Sequence, residues 1–261
     1  MNDPWINAKE YETFMGRWSA LIAKEFLNWL SVPDESTWLD IGCGTGTLTK
    51  LILERCNPQK VIAIDQSEKF ISYNQNLINN PSVLFKVGSA ESLEMGVNTV
   101  DAAVSGLVLN FVQDPKAAVA EMLRITRPGG MVGVFLWDYA EGMQMLRYFW
   151  NAAVELDSNA RELDEGFRFP ICNKGRLESI FNDAGFKHVE EKAIEVNTIF
   201  KNFDDYWQPF LSNVGPAPGY TMNLSIEKRK SLEAKLRNSL PTDNEGIISL
   251  SAKAWAVKGI V

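Results

Sequence analysis

The segment DIGCGTG, residues 40–46, constrains the fold of this chain more than any other part of its sequence. Three glycines, Gly42, Gly44 and Gly46, lie within five positions and separate a short apolar run from the helical pattern TLTKLILERC. Glycine loses more conformational freedom on folding than any other residue, so three together indicate a backbone that turns tightly or approaches a ligand closely. The pattern predicts a buried strand, a glycine-rich turn and an amphipathic helix.

Short apolar runs alternate with helical patterns through the first half of the chain. The runs TWLDIG, KVIAID, VLFKV, VDAAVSG and MVGVFLWD predict five strands, and this alternation implies right-handed βαβ units and a parallel sheet. KHVEEKAIEV and IISLSAKAWAVKG predict two later strands, and no obvious crossover helix directly precedes the last one. We therefore expect an α/β fold with a seven-stranded, mostly parallel sheet, an antiparallel last strand and helices on both faces.

Two insertions interrupt this alternation, at about residues 139–175 and 197–246. Both are irregular and rich in aromatic residues, glycine and proline, which is typical of loops that close over a ligand. We expect residues 37–261 to form one domain that carries these insertions as helical lids.

Composition and charge exclude several function classes. The chain has 26 basic and 33 acidic residues, a net charge of −7, whereas nucleic-acid binders gain most of their affinity from basic contacts to phosphate. Neither nucleic acid nor a membrane surface is expected as a partner. Three scattered cysteines predict neither a disulfide framework nor a metal site. The sequence has no secretory signal and no apolar run of membrane-spanning length, so a cytoplasmic location is expected.

Two cofactor classes compete for a glycine-rich turn between a strand and a helix. A dinucleotide site has the spacing G-x-G-x-x-G, whereas here Gly46 comes one position early and Thr47 stands in its place. Asp65 ends the second strand, where its carboxylate could accept hydrogen bonds from both hydroxyls of a ribose. The alternative is that Asp65 caps the next helix, but Ser67 is available for that role.

Five segments in register resemble the class I S-adenosylmethionine-dependent methyltransferases, and within them the small-molecule type 11 group that includes quinone-biosynthesis members. The segments are LDIGCGTGTLT, VIAID, VGSAESL, VDAAVSGLVLNFVQDPKAAVAEMLRITRPGG and GVFLWD, and they cover about residues 37–138. The resemblance implies a Rossmann-like fold and S-adenosylmethionine as the methyl donor. It also implies a small, apolar or aromatic acceptor that is methylated at oxygen, nitrogen or carbon.

The resemblance further implies which residues contact the cofactor. Asp40 and the three glycines would surround its methionine part. Asp65 would hold the ribose, and Gln66 would lie beside the adenine.

Two further segments would complete the cofactor site. The family's GDA loop supplies an acid for the adenine, but this chain has Ser89 there, so adenine recognition would pass to Ser89, Ala90 or Glu91. After the fourth strand, Ser105 and Leu107 would line the other side of the cofactor.

The N-terminal stretch would fold over the cofactor, as it does in related enzymes. Residues 1–36 would then form a helical cap. Tyr11 and Arg17 would contact the cofactor, and Arg17 would pair with its carboxylate.

No catalytic base stands out. Methyl transfer is an in-line displacement, so alignment and exclusion of water can supply much of the acceleration. Asp138 and Tyr139 follow the fifth strand, where this fold places substrate, although Asp138 could equally cap a turn. Asn110 stands where the family often has histidine, and an asparagine cannot act as a base. The single histidine, His188, is expected to face solvent.

Aromatic residues of the lids predict an apolar pocket for the acceptor, and the alternative is that they only pack the lids. The predicted pocket residues are Trp137, Tyr139, Trp150, Phe169, Tyr206, Trp207 and Tyr220.

Other functions remain open at this point. An NAD(P)-dependent oxidoreductase is disfavoured by the glycine spacing. A catalytically silent S-adenosylmethionine-binding protein is hinted at by Ser89 and Asn110. A protein or RNA methyltransferase is opposed by the acidic charge. We expect a monomer or a homodimer.

Overall fold

A computed structural model describes residues 12–212 and 214–261 of the chain. The strands are Thr37–Ile41 (β1), Lys60–Asp65 (β2), Val83–Val87 (β3), Val100–Gly106 (β4), Thr126–Trp137 (β5), Lys187–Phe200 (β6) and Ile248–Ile260 (β7). They form one seven-stranded sheet with the order β3-β2-β1-β4-β5-β7-β6.

The α-helices of the described residues lie both between the strands and within the two insertions. They are Arg17–Leu30 (α1), Thr47–Arg55 (α2), Glu68–Leu77 (α3), Pro115–Ile125 (α4), Gln144–Leu156 (α5), Glu165–Arg168 (α6), Arg176–Ala184 (α7), Phe203–Trp207 (α8), Pro216–Asn223 (α9) and Ile226–Ser239 (α10).

The sheet has the predicted mixed character. β1 pairs in parallel with β2 and β4, β2 pairs in parallel with β3, and β4 pairs in parallel with β5. The last strands are antiparallel, so the predicted Rossmann-like α/β fold is confirmed. The central strands are mostly apolar, as expected for parallel strands that are covered on both faces, and every residue of β1 is buried.

Two strands are longer than the sequence predicts. β5 begins at Thr126, although the apolar run starts only at Met131, because Gly129 and Gly130 exchange backbone hydrogen bonds with Val261. β6 continues to Phe200, beyond the predicted run that ends at Val196.

The described residues form two compact units. The insertion unit comprises residues 12–18, Trp137–Asn173 and Glu195–Lys253. The glycine-loop unit comprises Ser19–Leu136, Lys174–Ile194 and Ala254–Val261. The predicted boundary after residue 36, the cap and the lids stay predictions.

Aromatic packing forms the interior of the insertion unit. Phe149 stacks on Phe210 with ring centroids 4.5 Å apart, and Tyr206 packs against Phe210 at 5.3 Å. Within the part of the chain that the structure describes, no helix is long and apolar enough to cross a membrane.

Candidate functional site

The glycine-rich turn joins β1 to α2 in the glycine-loop unit. Gly42, Gly44 and Gly46 have φ values of +72°, +51° and +82°, the left-handed region that favours glycine. A Cβ on Gly42 would lie 2.4 Å from Val108, and one on Gly46 would lie 2.3 Å from Oδ1 of Asn74. A Cβ on Gly44 would have no neighbour closer than 4.0 Å. The first and third glycines are therefore required by packing, whereas the second leaves room for a ligand beside the backbone.

Asp65, at the end of β2, is bound to this loop. Its Oδ2 accepts a hydrogen bond from the N–H of Gly44 at 2.9 Å, and its Oδ1 accepts one from the N–H of Ser67 at 2.8 Å. Ser67 itself caps α3 by accepting from the N–H of Phe70 at 3.4 Å, as predicted. Burial raises the pKa of Asp65. Each carboxylate oxygen keeps a lone pair for a further donor, so the ribose role is chemically open to it.

Asn74 on α3 is the site residue that the sequence-based prediction missed. It is fully buried, and its Nδ2 donates to the carbonyl of Gly44 at 2.7 Å and lies 3.9 Å from Sγ of Cys43. The peptide groups of Gly44 are thus held on both sides, the N–H by Asp65 and the C=O by Asn74. The signal was present in the sequence, because Asn74 is the one polar member of an otherwise apolar helix face.

Asp40 lies in β1 immediately before the glycine loop and is 1% exposed. Its Oδ2 accepts a hydrogen bond from the hydroxyl of Thr49 at 2.5 Å, which ties β1 to α2. Burial raises the pKa of Asp40 to about 7, while the Thr49 hydrogen bond acts in the opposite direction. The predicted contact of Asp40 with the methionine part stays a prediction.

The predicted adenine-binding segment follows β3. The hydroxyl of Ser89 accepts from the N–H of Glu91 at 3.2 Å, and Oε1 of Glu91 accepts from the N–H of Asp114 at 2.6 Å. Ser89, Ala90 and Glu91 are half-buried, and Gln66 is exposed. Ser89 and Glu91 therefore already stabilise this loop, whatever they add to ligand binding.

The carboxyl end of β4 combines an unusual backbone with an unpartnered amide. The hydroxyl of Ser105 is buried and donates to the carbonyl of Ile41 at 2.9 Å. Leu107 has φ +63°, which is uncommon for a residue with a side chain. Asn110 is 8% exposed, and its buried Nδ2 has no hydrogen-bond partner. Strained backbone and unpaired buried polar groups are concentrated at functional sites.

Asp138 follows β5 and belongs to the insertion unit. Its Oδ1 accepts from the N–H of Glu141 at 3.0 Å, and its Oδ2 forms an ion pair with Nζ of Lys253 at 2.8 Å. These contacts match the turn-capping alternative for Asp138. His188 is exposed, as predicted.

The aromatic residues predicted to line an acceptor pocket fall into two groups. Trp137, Tyr139, Trp150, Tyr206 and Trp207 are buried, whereas Phe169 and Tyr220 are half-buried. The hydroxyl of Tyr206 donates to the carbonyl of Met145 at 2.9 Å. This burial matches the alternative in which the aromatic residues pack the unit, and the pocket assignment stays a prediction.

Glu165 is a buried acid that no sequence pattern singled out. Its Oε2 accepts from Nε1 of Trp150 at 2.5 Å, and burial raises its pKa to about 7. The next residue, Gly166, lies so close to Tyr139 that an added Cβ would be 2.9 Å from the Tyr139 carbonyl oxygen. Glu165 therefore lies near the segment that follows β5.

Arg17 belongs to the insertion unit. Its Nη1 forms an ion pair with Asp205 at 3.1 Å, and its guanidinium lies 4.3 Å from the ring centroid of Trp18 and 4.8 Å from that of Phe200. Its Nε and Nη2 are buried and have no hydrogen-bond partner. Its predicted pairing with a cofactor carboxylate stays a prediction, and Tyr11 lies outside the described residues.

Among the described residues, no group of histidine, cysteine and acidic side chains is placed to hold a metal ion. The residues of the glycine-loop unit do fit a nucleoside-containing ligand. Gly44 is open on one side, and Asp65 is fixed beside it with free acceptor positions.

Comparisons with known proteins show which family the glycine-loop unit resembles. Residues 39–134 match the type 11 family described as a methyltransferase domain. An uncharacterized methyltransferase of Mycobacterium tuberculosis is 32% identical over 44% of this chain and 44% of its own length. The demethylmenaquinone methyltransferase of Staphylococcus carnosus is 28% identical over 65% of this chain and 76% of its own length. The chain spans only 32% to 44% of the first curated relatives that it matches.

Solved structures give the same fold. Phosphoethanolamine N-methyltransferase 2 of Haemonchus contortus, in complex with S-adenosyl-L-methionine, superposes with a TM-score of 0.61 at 15% identity. The match covers 97% of this chain and 56% of that one. Likeness at this identity concerns the fold, and it agrees with the family match. Residues 39–134 are therefore similar to the type 11 methyltransferase domain, and the chain has the Rossmann-like fold of solved methyltransferases.

Proposed function

We propose that the chain transfers a methyl group from S-adenosylmethionine to a small, apolar or aromatic acceptor, and that it acts as a monomer or a homodimer. The observation that carries the proposal is the fixed peptide of Gly44, which Asp65 and Asn74 hold from both sides while its own open side faces free space. The quinone-type substrate in the name of the Staphylococcus carnosus relative supports an apolar or aromatic acceptor.

The bound cofactor would supply a methyl group that is already activated on a sulfonium. The protein then has to bind the cofactor and the acceptor, orient them for the transfer and exclude water from the site. Asp65 would accept hydrogen bonds from the ribose hydroxyls, and the glycine loop would admit the methionine part close to its backbone. Asn110 would offer its unpartnered amide at the carboxyl end of β4.

The proposal assigns no general base. Asp138 is occupied by Lys253 and by the N–H of Glu141, and His188 is exposed in the other unit. The atom that accepts the methyl group would therefore be nucleophilic without deprotonation by either residue.

Calorimetric titration of the purified chain with S-adenosylmethionine, S-adenosylhomocysteine and NADH tests this function. We expect micromolar binding of the first two and none of NADH. Asp65→Ala should weaken the binding of S-adenosylmethionine and of S-adenosylhomocysteine by about 10- to 100-fold, the effect of losing hydrogen bonds to a charged group. Asp183→Ala, which removes an exposed carboxylate paired with Lys116, is the matched control and should bind normally. Binding of NADH alone would contradict the proposal and favour an oxidoreductase. Cofactor binding without methylation of any acceptor would favour a silent binding protein.

A further inference from the structure

The insertion unit contains a groove of about 470 Å³, and no residue proposed to contact the cofactor lines it. This volume lies within the range of small-molecule sites, about 300–1,000 Å³. Ala140, Trp150, Val154, Gly166 and Phe167 form its apolar part.

The rim of the groove exposes a large aromatic ring. Phe167 is 59% exposed, while Trp150 in the same wall is fully buried and hydrogen-bonded to Glu165. Ligand pockets are lined mainly by hydrophobic and aromatic side chains, and the exposed ring of Phe167 adds to that lining.

The carboxylates of the wall already have cationic partners. Asp164 binds Arg147 through both of its oxygens, with Oδ2 accepting from Nη1 at 2.8 Å, and it also caps α6 by accepting from the N–H of Gly166. Glu155 forms an ion pair with Lys235. The negative charge of the groove is therefore neutralised from within the protein.

Arg161, which also lines the groove, has no acidic partner among the described residues. Its guanidinium lies 5.3 Å from the ring centroid of Phe167. Nε of Arg147, in the same wall, is buried without a hydrogen-bond partner. Arginine donors beside an aromatic ring recognise planar anions, because the guanidinium can stack and donate two parallel hydrogen bonds.

The groove begins where β5 ends. Ala140 lies three residues beyond Trp137, the last residue of that strand, and Gly166 packs against the carbonyl of Tyr139. We propose that this groove binds a small anion with an aromatic or apolar body, at a ligand site that the proposed methyl transfer does not require.

Two fluorescent probes that differ only in charge test the ligand class. Anilinonaphthalene sulfonate has an aromatic body and one negative charge, and N-phenylnaphthylamine lacks only the sulfonate. We expect saturable binding of the sulfonate by the wild-type chain. Arg161→Gln should weaken it about tenfold, the effect of losing one charge-assisted hydrogen bond, and should leave the neutral probe unaffected.

Further variants localise the effect. Phe167→Ala should weaken the binding of both probes. Arg176→Gln, which changes an exposed arginine in the glycine-loop unit, is the matched control and should change neither. Circular dichroism verifies that each exposed substitution leaves the fold intact. Unchanged sulfonate binding by Arg161→Gln, or equal affinity of the wild type for the two probes, would overturn the assignment of an anionic ligand.

Cofactor calorimetry on the same preparation separates the two proposals. If neither cofactor form binds, the methyltransferase proposal fails, and the dependence of sulfonate binding on Arg161 is still decided.

Discussion

The carboxylate of Asp65 accepts a hydrogen bond from the backbone N–H of Gly44 at 2.9 Å, so the end of β2 and the middle of the glycine loop are held together before any ligand arrives. The residue expected to bind the ribose therefore also sets the position of the backbone expected to meet the methionine part. Changes at either residue should affect the whole ligand and not one half of it.

Gly44 and Gly46 should respond differently to alanine. Gly44→Ala has room for its Cβ and only the cost of a left-handed conformation, about 1–2 kcal/mol. Gly46→Ala adds a clash with Asn74 and should destabilise the chain by more than this. S-adenosylmethionine affinity should nevertheless fall for Gly44→Ala, by roughly tenfold or 1.4 kcal/mol, because the new methyl group occupies the ligand side of the loop.

Urea unfolding and calorimetry on the same two variants measure both effects. If Gly44→Ala kept wild-type affinity, the open side of Gly44 would not face the cofactor.

Removing the Asn74 side chain should leave the buried carbonyl of Gly44 without a partner. Asn74→Ala is expected to lower the free energy of unfolding by about 1–3 kcal/mol. It should also weaken the binding of S-adenosylmethionine more than the binding of adenosine, because Asn74 holds the part of the loop expected to meet the methionine moiety. Calorimetry with both ligands measures this difference.

Asn76→Ala is the control for Asn74. Asn76 lies on the same helix, is exposed and donates only to the carbonyl of Ser72, so its loss should change stability by less than about 0.5 kcal/mol. If Asn74→Ala weakened the binding of adenosine and of S-adenosylmethionine equally, Asn74 would only stabilise the fold and would not act on the methionine part of the site.

Asn110 should be replaceable without loss of stability. Its buried Nδ2 has no partner, so Asn110→Leu removes a desolvated polar group and should change the free energy of unfolding by no more than about 0.5 kcal/mol, or increase it. Ligand binding should weaken in the same variant. A loss of stability above about 1 kcal/mol, measured by urea unfolding, would mean that the amide is partnered in solution.

Glu165 should make stability depend on pH. Burial raises its folded-state pKa from 4.5 to about 7, so the folded chain binds the proton more tightly than the unfolded chain does. This contribution is fully present below about pH 4.5 and is lost as the pH rises through about 7, a difference of roughly 3 kcal/mol.

Glu165→Gln keeps an oxygen for Nε1 of Trp150 and removes the titration. The difference in unfolding free energy between wild type and variant, measured in urea at pH 5 and pH 8, should therefore shift in favour of the variant at pH 8. A difference independent of pH would show that Glu165 titrates normally.

Local signals account for what the sequence predicted well. Ser67 was identifiable as a helix cap because capping needs only a side-chain oxygen two or three residues before its donor. The strands β1, β2 and β4 were identifiable because buried parallel strands are short continuous apolar runs.

Contacts between distant parts of the chain account for the rest. β5 starts early because Gly129 and Gly130 pair with Val261, more than a hundred residues away in the sequence. Asn74 and Gly44 are 30 positions apart in the sequence. The helical pattern of α3 therefore indicated that a polar residue at position 74 was unusual, but it could not predict which residue Asn74 would contact. The burial of Tyr206 depends on Met145 and Phe210, and composition alone could not separate core aromatic residues from exposed ones.

The double attachment of Gly44 has a consequence for protein engineering. The heptapeptide DIGCGTG would not carry its own shape into another scaffold, because the two side chains that orient its central peptide come from β2 and α3. The smallest portable module runs from Asp40 through Asn74. Grafts that stop at the loop would transplant the glycines and leave behind the anchors that give them a fixed conformation.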